Sequence, residues 1–170
     1  MPKFSEVKAY GGKAAVAISL DKEKKGWFLQ AAQKKADGKF DWQNGVTMGL
    51  SPTEGLALAA LMAGHTDGLW DMNSGKQTGF FHKPHNSKVE RKVLGTINGS
   101  HIRVRVQERN DGVDKIIDIS VCPKYRVEIA TFLFSVSVHF TMFDNMLYSD
   151  IQAFSKNFFP SLGLYIMPAS

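Results

Sequence analysis

Apolar and polar positions alternate along much of the N-terminal part of the chain. Between Val7 and Leu20, Tyr10, Ala14, Val16, Ile18 and Leu20 fall on one parity, and Lys13, Ala15, Ala17 and Ser19 on the other. A period of two marks a half-buried strand, and Gly11-Gly12 inside it predicts a bulge or a close backbone approach. After the charged turn 21–26, a second strand is predicted from Trp27 to about Lys35, and Ala36-Asp37-Gly38-Lys39 reads as a hairpin turn. Phe40-Asp41-Trp42 and Val46 to Leu50 read as two short strands around Gln43-Asn44-Gly45. Ser51-Pro52-Thr53-Glu54 then supplies an N-cap serine, a proline at the first helical position and a capping-box glutamate. Leu56, Ala57, Ala60, Leu61 and Ala63 continue an apolar helix, and Gly64 suits its end.

Residues 65–79 are loop-like, and four more strands are predicted: Gly79 to Lys83, Val89 to Ile97, His101 to Arg109 and Lys115 to Cys122. Asn98-Gly99 and Asn110-Asp111-Gly112 supply turns between the last three. The apolar segment from Pro123 to about Leu147 is ambiguous by composition, because Phe132 to Phe140 is rich in β-branched and aromatic residues; its length and leading proline favour a buried helix. The pattern is four strands and a helix, twice over. Short strands separated by turns, with a helix closing each block, predict an antiparallel α+β domain.

One strand separates cleanly into two faces. Ile102, Val104 and Val106 share one parity; His101, Arg103, Arg105, Gln107 and Arg109 share the other. The apolar set predicts a core-facing side and leaves a line of guanidinium groups about 7 Å apart, on the scale of nucleic-acid phosphates, which arginine binds with a forked donor pair. A solvated edge face is the plainer explanation of the same charges. Aromatic residues favour binding: Tyr10, Trp27, Phe28, Phe40, Trp42, Phe80 and Phe81 lie in or beside strands that carry Lys8, Lys13, Lys34, Lys35, Lys39 or Lys83. Single-strand binders combine basic groups with rings on which bases stack, although at least half of these rings are expected in the core.

The bulk numbers fit this picture. The 170 residues suffice for one domain, burying roughly 70% of its unfolded surface. Lys and Arg outnumber Asp and Glu by 21 to 16, a net charge of +5, and the whole excess lies before Pro123. Cys122 is the single cysteine, so no intrachain disulfide is possible and a reducing compartment is compatible. The N-terminal residues do not form a secretory signal, and no apolar run is long enough for a membrane span. An intracellular protein with no membrane association is expected.

Five short motifs then resemble one family. Tyr10-Gly11-Gly12-Lys13-Ala14-Ala15-Val16 resembles the Lys-Gly-Lys-Ala-Ala-Leu strand of the plant Whirly proteins, and Lys39-Phe40-Asp41-Trp42 their Lys-Tyr-Asp-Trp segment. Gly49-Leu50-Ser51-Pro52-Thr53-Glu54 is similar to their Ala-Leu-Ser-Pro-Thr-Glu helix entry, and Phe80-Phe81-His82-Lys83-Pro84 to their Phe-Phe-His-Asp-Pro. Arg91-Lys92 falls where the family has Arg-Lys opening the next strand. The order and spacing agree over about residues 7 to 143. Gly12 departs from a family lysine and Lys83 from an aspartate.

The resemblance implies two roughly perpendicular four-stranded antiparallel sheets with a helix after each block, assembled as a homotetramer through the helices. It implies binding of single-stranded DNA with little sequence preference, in replication, recombination, repair or transcription. RNA binding and annealing within the same fold class, or a purely structural oligomer, are the alternatives. The binding domain is expected over 1–147, and 148–170, with Phe154, Phe158, Phe159 and Tyr165, forms an extension without a matching motif. Combining residues and resemblance, the expected binding set is Lys8, Tyr10, Lys13, Trp27, Lys34, Lys39, Trp42, Phe80, Lys83, Arg91, Lys92, Arg103 and Arg105.

Other motifs carry less. His82 and His85, with His65 or Cys122, match no established zinc spacing. Gly11-Gly12-Lys13 lacks the remaining glycine spacing and the hydroxyl residue of a phosphate-binding loop. Cys122 is expected to be a small buried residue. Asp114 and Asp118 share a strand face, with nothing linking them to a nucleophile or metal. No catalytic residues, metal or cofactor are therefore expected, and the reading is not that of an enzyme.

Overall fold

The structure is a computed structural model that describes residues 6–21, 23, 26–69, 76 and 78–142, with only the backbone for 138–142. The expected domain boundary at 147, and the extension 148–170 with its four aromatic residues, lie outside the described residues. Along the chain run β1 (Glu6–Tyr10), β2 (Ala14–Asp21), β3 (Gly26–Gln33), β4 (Val46–Leu50), α1 (Pro52–Ala63), β5 (Phe80–His82), β6 (Val89–Asn98), β7 (His101–Asn110), β8 (Val113–Val121) and α2 (Pro123–Met142). They form two four-stranded sheets, β1-β2-β3-β4 and β5-β6-β7-β8, antiparallel throughout. This is the predicted α+β architecture of two strand blocks, each closed by a helix. Strand β8 touches β1, β2 and β3 in turn, so the second sheet runs across the first rather than alongside one of its strands.

Two N-terminal details differ from the prediction. Val7 to Leu20 is not one bulged strand: Gly11 donates its N–H to the Ala14 carbonyl at 2.8 Å, and β1 and β2 pair around that turn. Because the chain reverses, Tyr10 lies opposite Ala15 and shares its face, so Tyr10 leaves the parity of Val16 and Ile18, and Val7 and Ala9 take its place. Phe40-Asp41-Trp42 forms no strand beyond a single bridge from Phe40 to Lys34. The turn at 36–39 is as expected, with Gly38 at φ 85° and Lys35 donating to the Lys39 carbonyl at 2.7 Å. In the β7–β8 hairpin, Asp111 and Gly112 have φ of 48° and 82°. A two-residue hairpin turn needs positive φ at both central positions to follow the twist of its strands.

The core is continuous between the sheets. Val16, Ile18, Trp27, Leu29 and Met48 come from the first, and Phe80, Val93, Val104, Val106, Ile117 and Ile119 from the second. Burial of each large side chain contributes about 1.5–3 kcal/mol. The helices extend this core with Leu58, Leu61, Met62, Ile129 and Leu133. At the start of α1 the Ser51 Oγ accepts from the Glu54 N–H at 3.2 Å, while Glu54 Oε2 accepts from the Ser51 N–H at 2.8 Å. That reciprocal cap satisfies two donors otherwise orphaned at a helix start. Gly55 lies against the Trp27 ring, where a Cβ would overlap its carbons. The ambiguous segment after Pro123 is helical, and its polar Ser137 is accommodated by donating to the Leu133 carbonyl at 2.6 Å. Arg126 ties α2 to α1 and to the β6–β7 turn, with Nε donating to the Met62 carbonyl at 3.0 Å and Nη1 to the Ser100 carbonyl at 2.6 Å.

Candidate nucleic-acid interface

Strand register decides which side chains share a surface. The face of the first sheet turned away from the core carries Lys8 and Tyr10 of β1, Ala15, Ala17 and Ser19 of β2, Phe28, Gln30 and Ala32 of β3, and Thr47 and Gly49 of β4. Ala15, Ala17 and Ala32 are nevertheless buried. Segment 34–42 folds back across this side, held by the Lys34–Phe40 bridge and by a 2.8 Å hydrogen bond from Gln30 Nε2 to the Trp42 carbonyl. A row of rings results. Tyr125 and Tyr10 are 6.1 Å apart, Tyr10 and Phe40 5.5 Å, and Phe40 and Trp42 6.3 Å. Lysine ammonium groups cover part of the row, with Lys8 5.5 Å from the Trp42 ring and Lys34 6.0 Å from Phe40.

The same fold-back assembles a basic corner. Lys34 donates its N–H to the Lys13 carbonyl at 2.8 Å, and Lys35 pairs with Lys39 across the turn. Lys13, Lys34, Lys35 and Lys39 thus come together from two parts of the sequence. None of their ammonium groups forms an ion pair among the described residues, though Asp41, whose carboxyl is held low first by its hydrogen bond with Asn44 and further by the charge of Lys35, lies within electrostatic reach. Other cations are neutralised: Lys8 by Glu6 at 3.0 Å, Lys83 by Glu90 at 2.8 Å and Arg91 by Glu108 at 2.8 Å. An excess of like charge on one corner favours a polyanion, because each bound phosphate relieves mutual repulsion.

Next to that corner is a cleft of about 320 Å³ between the β1–β2 turn and the end of the second sheet, lined by Gly11 to Ala14, Asn98, Arg103, Asp118, Ile119 and Ser120. A Cβ on Gly11 would come within 3.1 Å of the Ala14 carbonyl oxygen and 3.5 Å of the Ser120 carbonyl oxygen. The close backbone approach predicted for this glycine pair is therefore made by Gly11. The cleft brings Lys13 and Arg103, 90 positions apart in the numbering, into one lining.

On the second sheet, the outward side of β7 carries the arginines as predicted, and Ile102, Val104 and Val106 are buried. The guanidinium groups are not free. Arg105 sits opposite Asp118 in the register and donates Nε and Nη2 to its two oxygens at 2.8 and 2.9 Å; Arg103 Nη2 reaches the same carboxylate at 3.2 Å. Arg109 makes the equivalent forked pair with Asp114, at 2.7 and 2.9 Å. Hydrogen bonding to Arg105 is the main influence holding the Asp118 carboxyl below the usual carboxylate range, and Arg109 acts likewise on Asp114. Both acids are the cross-strand partners of the arginine row. Their shared face, noted in the sequence, has that meaning.

Placement of the expected set is uneven. Lys13 and Arg103 line the cleft, Lys34 and Lys39 form the corner, and Lys8, Tyr10 and Trp42 belong to the ring row. Lys92 stands on the outward face of β6 without a carboxylate partner among the described residues. Lys83, Arg91 and Arg105 are in ion pairs. Trp27 and Phe80 are corrections: they are 0% and 1% exposed, on the core side of β3 and β5, and offer no ring face to a base. Their neighbours Phe28 and Phe81, absent from the expected set, are 41% and 51% exposed. The signal for Phe28 was available, because Trp27, Leu29 and Ala31 form an apolar alternation that turns Phe28 outward. Phe81 is placed by pairing opposite Lys92. Phe40 and Lys35, named among the rings and lysines in the sequence but outside the expected set, join the surface through the fold-back, and Tyr125 of α2, without a sequence signal, reaches it through Tyr10.

His82 Nε2 is 2.7 Å from Glu54 Oε1, tying β5 to the start of α1. Burial pushes the Glu54 carboxyl up, but the bonds from His82 and the Ser51 N–H outweigh it and leave it below its ordinary value. Among the described residues no three His, Cys, Asp or Glu side chains are grouped to hold a metal ion. No helix of the described residues is long and apolar enough to cross a membrane.

No protein-family model matches the chain, and no curated protein matches it in sequence. Solved structures do match in fold. The plant transcriptional regulator PBF-2 superposes with a TM-score of 0.67 at 19% identity, covering 91% of this chain and 90% of that one. WHY3 from Arabidopsis thaliana gives 0.63 at 18% identity over 92% and 98%, and WHY1 from the same plant 0.56 at 20% over 78% and 86%. The chain has a Whirly-type fold.

Proposed function

We propose that this Whirly-type chain binds single-stranded DNA with little sequence preference, as a binding protein rather than an enzyme, in replication, recombination, repair or transcription. One observation carries the reading. Lys13, Lys34, Lys35 and Lys39, none of them in an ion pair among the described residues, form a basic corner beside a cleft that holds Arg103, next to a surface with exposed rings. A single strand needs both parts, cations for its phosphates and ring faces for its bases. Tyr10, Phe28 and Phe81 supply exposed rings, and Lys92 adds a cation beside Phe81. The fold shared with a plant transcriptional regulator supports the same reading. Assembly as a homotetramer, in which neighbouring subunits extend the path, completes the proposal, and light scattering of the purified protein tests it by reporting four chain masses.

The binding test is electrophoretic mobility with labelled oligo(dT) over a salt series, run beside an RNA oligonucleotide of matched sequence. Engagement of Z phosphates gives a log–log salt slope of about −0.7Z. The triple change Lys13→Gln, Lys34→Gln and Lys39→Gln is expected to flatten that slope by about 2 and to weaken binding by roughly 100-fold at 0.1 M salt, the loss shrinking toward 1 M. Absence of binding at low salt overturns the proposal. Preference for the RNA strand replaces DNA with RNA as the ligand.

A further inference from the structure

We infer that Asp118 is a guard on the arginine pair: its carboxylate occupies the guanidinium edges that a backbone phosphate would take, and so sets the affinity threshold for a single strand. The inference rests on the binding reading above and assigns a role to a residue outside the expected set. Its basis is stoichiometry and shape. One carboxylate accepts three N–H groups from two guanidiniums, two from Arg105 and one from Arg103. It also lines the cleft that Lys13 lines. Asp114 instead serves a single guanidinium, that of Arg109, with Gln107 as a further neutral donor, and neither Arg109 nor Asp114 lines that cleft.

A carboxylate and a phosphodiester each present two anionic oxygens to a guanidinium fork. Asp118 therefore holds Arg103 and Arg105 in the orientation a phosphate requires, while opposing the phosphate's arrival by like charge. A lone anion gains too little from Lys13 and the shared arginines to overcome that opposition. A strand that also engages the lysine corner brings the surplus with it. The guard thus favours a polymer of phosphodiesters over single phosphate groups.

The test compares oligo(dT) binding by the full chain and by Asp118→Asn, which keeps the shape and removes the charge. Asp111→Asn is the control for net charge. It lies seven residues away along β8 and its turn, roughly 23 Å at strand rise, beyond the screening length of about 10 Å at 0.1 M salt. Asp118→Asn is expected to bind about three- to ten-fold tighter than the parent, with a salt slope steeper by about 0.7 for one further phosphate. Asp111→Asn is expected to change affinity less than about two-fold. In an Arg103→Ala, Arg105→Ala background the gain from Asp118→Asn is expected to fall to the control level. Melting curves confirm folding, and Asp118→Ser repeats the test if the asparagine variant does not fold. Equal behaviour of Asp118→Asn and Asp111→Asn overturns the guard and leaves the binding proposal standing, as does a gain that survives undiminished without the two arginines. Failure of the parent chain to bind removes both.

Discussion

Phe80 and Phe81 are adjacent in sequence and point to opposite sides of β5, so their replacement by alanine should produce opposite phenotypes. Phe80 is 1% exposed and packs opposite Val93 within the continuous core. Truncating a buried phenylalanine costs about 3–5 kcal/mol, from lost transfer energy and the cavity left behind. At about 2–4 °C per kcal/mol for a domain of this size, the melting temperature of Phe80→Ala should fall by roughly 6–20 °C. Phe81 is half exposed and stands beside Lys92 on the outward face. Its removal should change stability by no more than about 0.5 kcal/mol. If it stacks on a base, however, its loss costs about 1–3 kcal/mol of binding, a five- to 150-fold weaker affinity for oligo(dT). Calorimetry or thermal denaturation reads the first effect, and fluorescence anisotropy of a labelled oligonucleotide the second. A Phe81→Ala protein that melts normally and binds with unchanged affinity would remove this ring from the path. Equal melting temperatures for the two variants would contradict the side assignment itself.

Two further outcomes test the fold around α1. Gly55→Ala should destabilise the protein by roughly 1–3 kcal/mol through overpacking, because the buried Trp27 ring has no room for a Cβ; chemical denaturation would instead show stabilisation if the helix-propensity gain of about 1 kcal/mol prevailed. Glu54 should make the protein acid-sensitive: its folded-state pKa is lowered, so its contribution is fully present above the unfolded value and is lost as pH falls through the folded one. Denaturation measured across pH 2 to 6, roughly the carboxylate range, should give a shallower acid loss in Glu54→Gln than in the parent, and parallel curves would show that the His82 and Ser51 bonds do not act through its charge.

The fold was legible where local chemistry decides it. Ser51, Pro52, Glu54 and Gly64 specify a helix start and stop without outside help, and Asn110-Asp111-Gly112 specifies a turn whose positive φ angles are there in the structure. Parity along His101 to Arg109 gave the buried and outward sides of β7 correctly, because a strand has one period and one buried face. The site was less legible, and for the same reason. A turn at Gly11–Lys13 reverses the chain and moves Tyr10 to the other face, which alternation along a single segment cannot register. Adjacent aromatic residues are told apart only by side: alternation along β3 separates exposed Phe28 from buried Trp27, whereas the three-residue β5 is too short to separate Phe81 from Phe80. Pairing of Arg105 with Asp118 is set by cross-strand register, 13 residues apart in the numbering, and converts an open charged row into one in which three arginines share two carboxylates.

That conversion changes where affinity should reside. Arginines on the second sheet are already satisfied by carboxylates, so a phosphate reaching them exchanges one anion for another, and the net gain of such an exchange is small. Lysines at the corner of the first sheet have no such partner among the described residues, and each phosphate they meet adds an interaction without displacing one. Their flexible ammonium groups are point charges suited to a backbone of any sequence, whereas a guanidinium fork imposes direction. The paired arginines therefore orient a strand at the cleft, and the unpaired lysines hold it. A surface divided in this way binds by charge first and geometry second, which is what binding with little sequence preference requires.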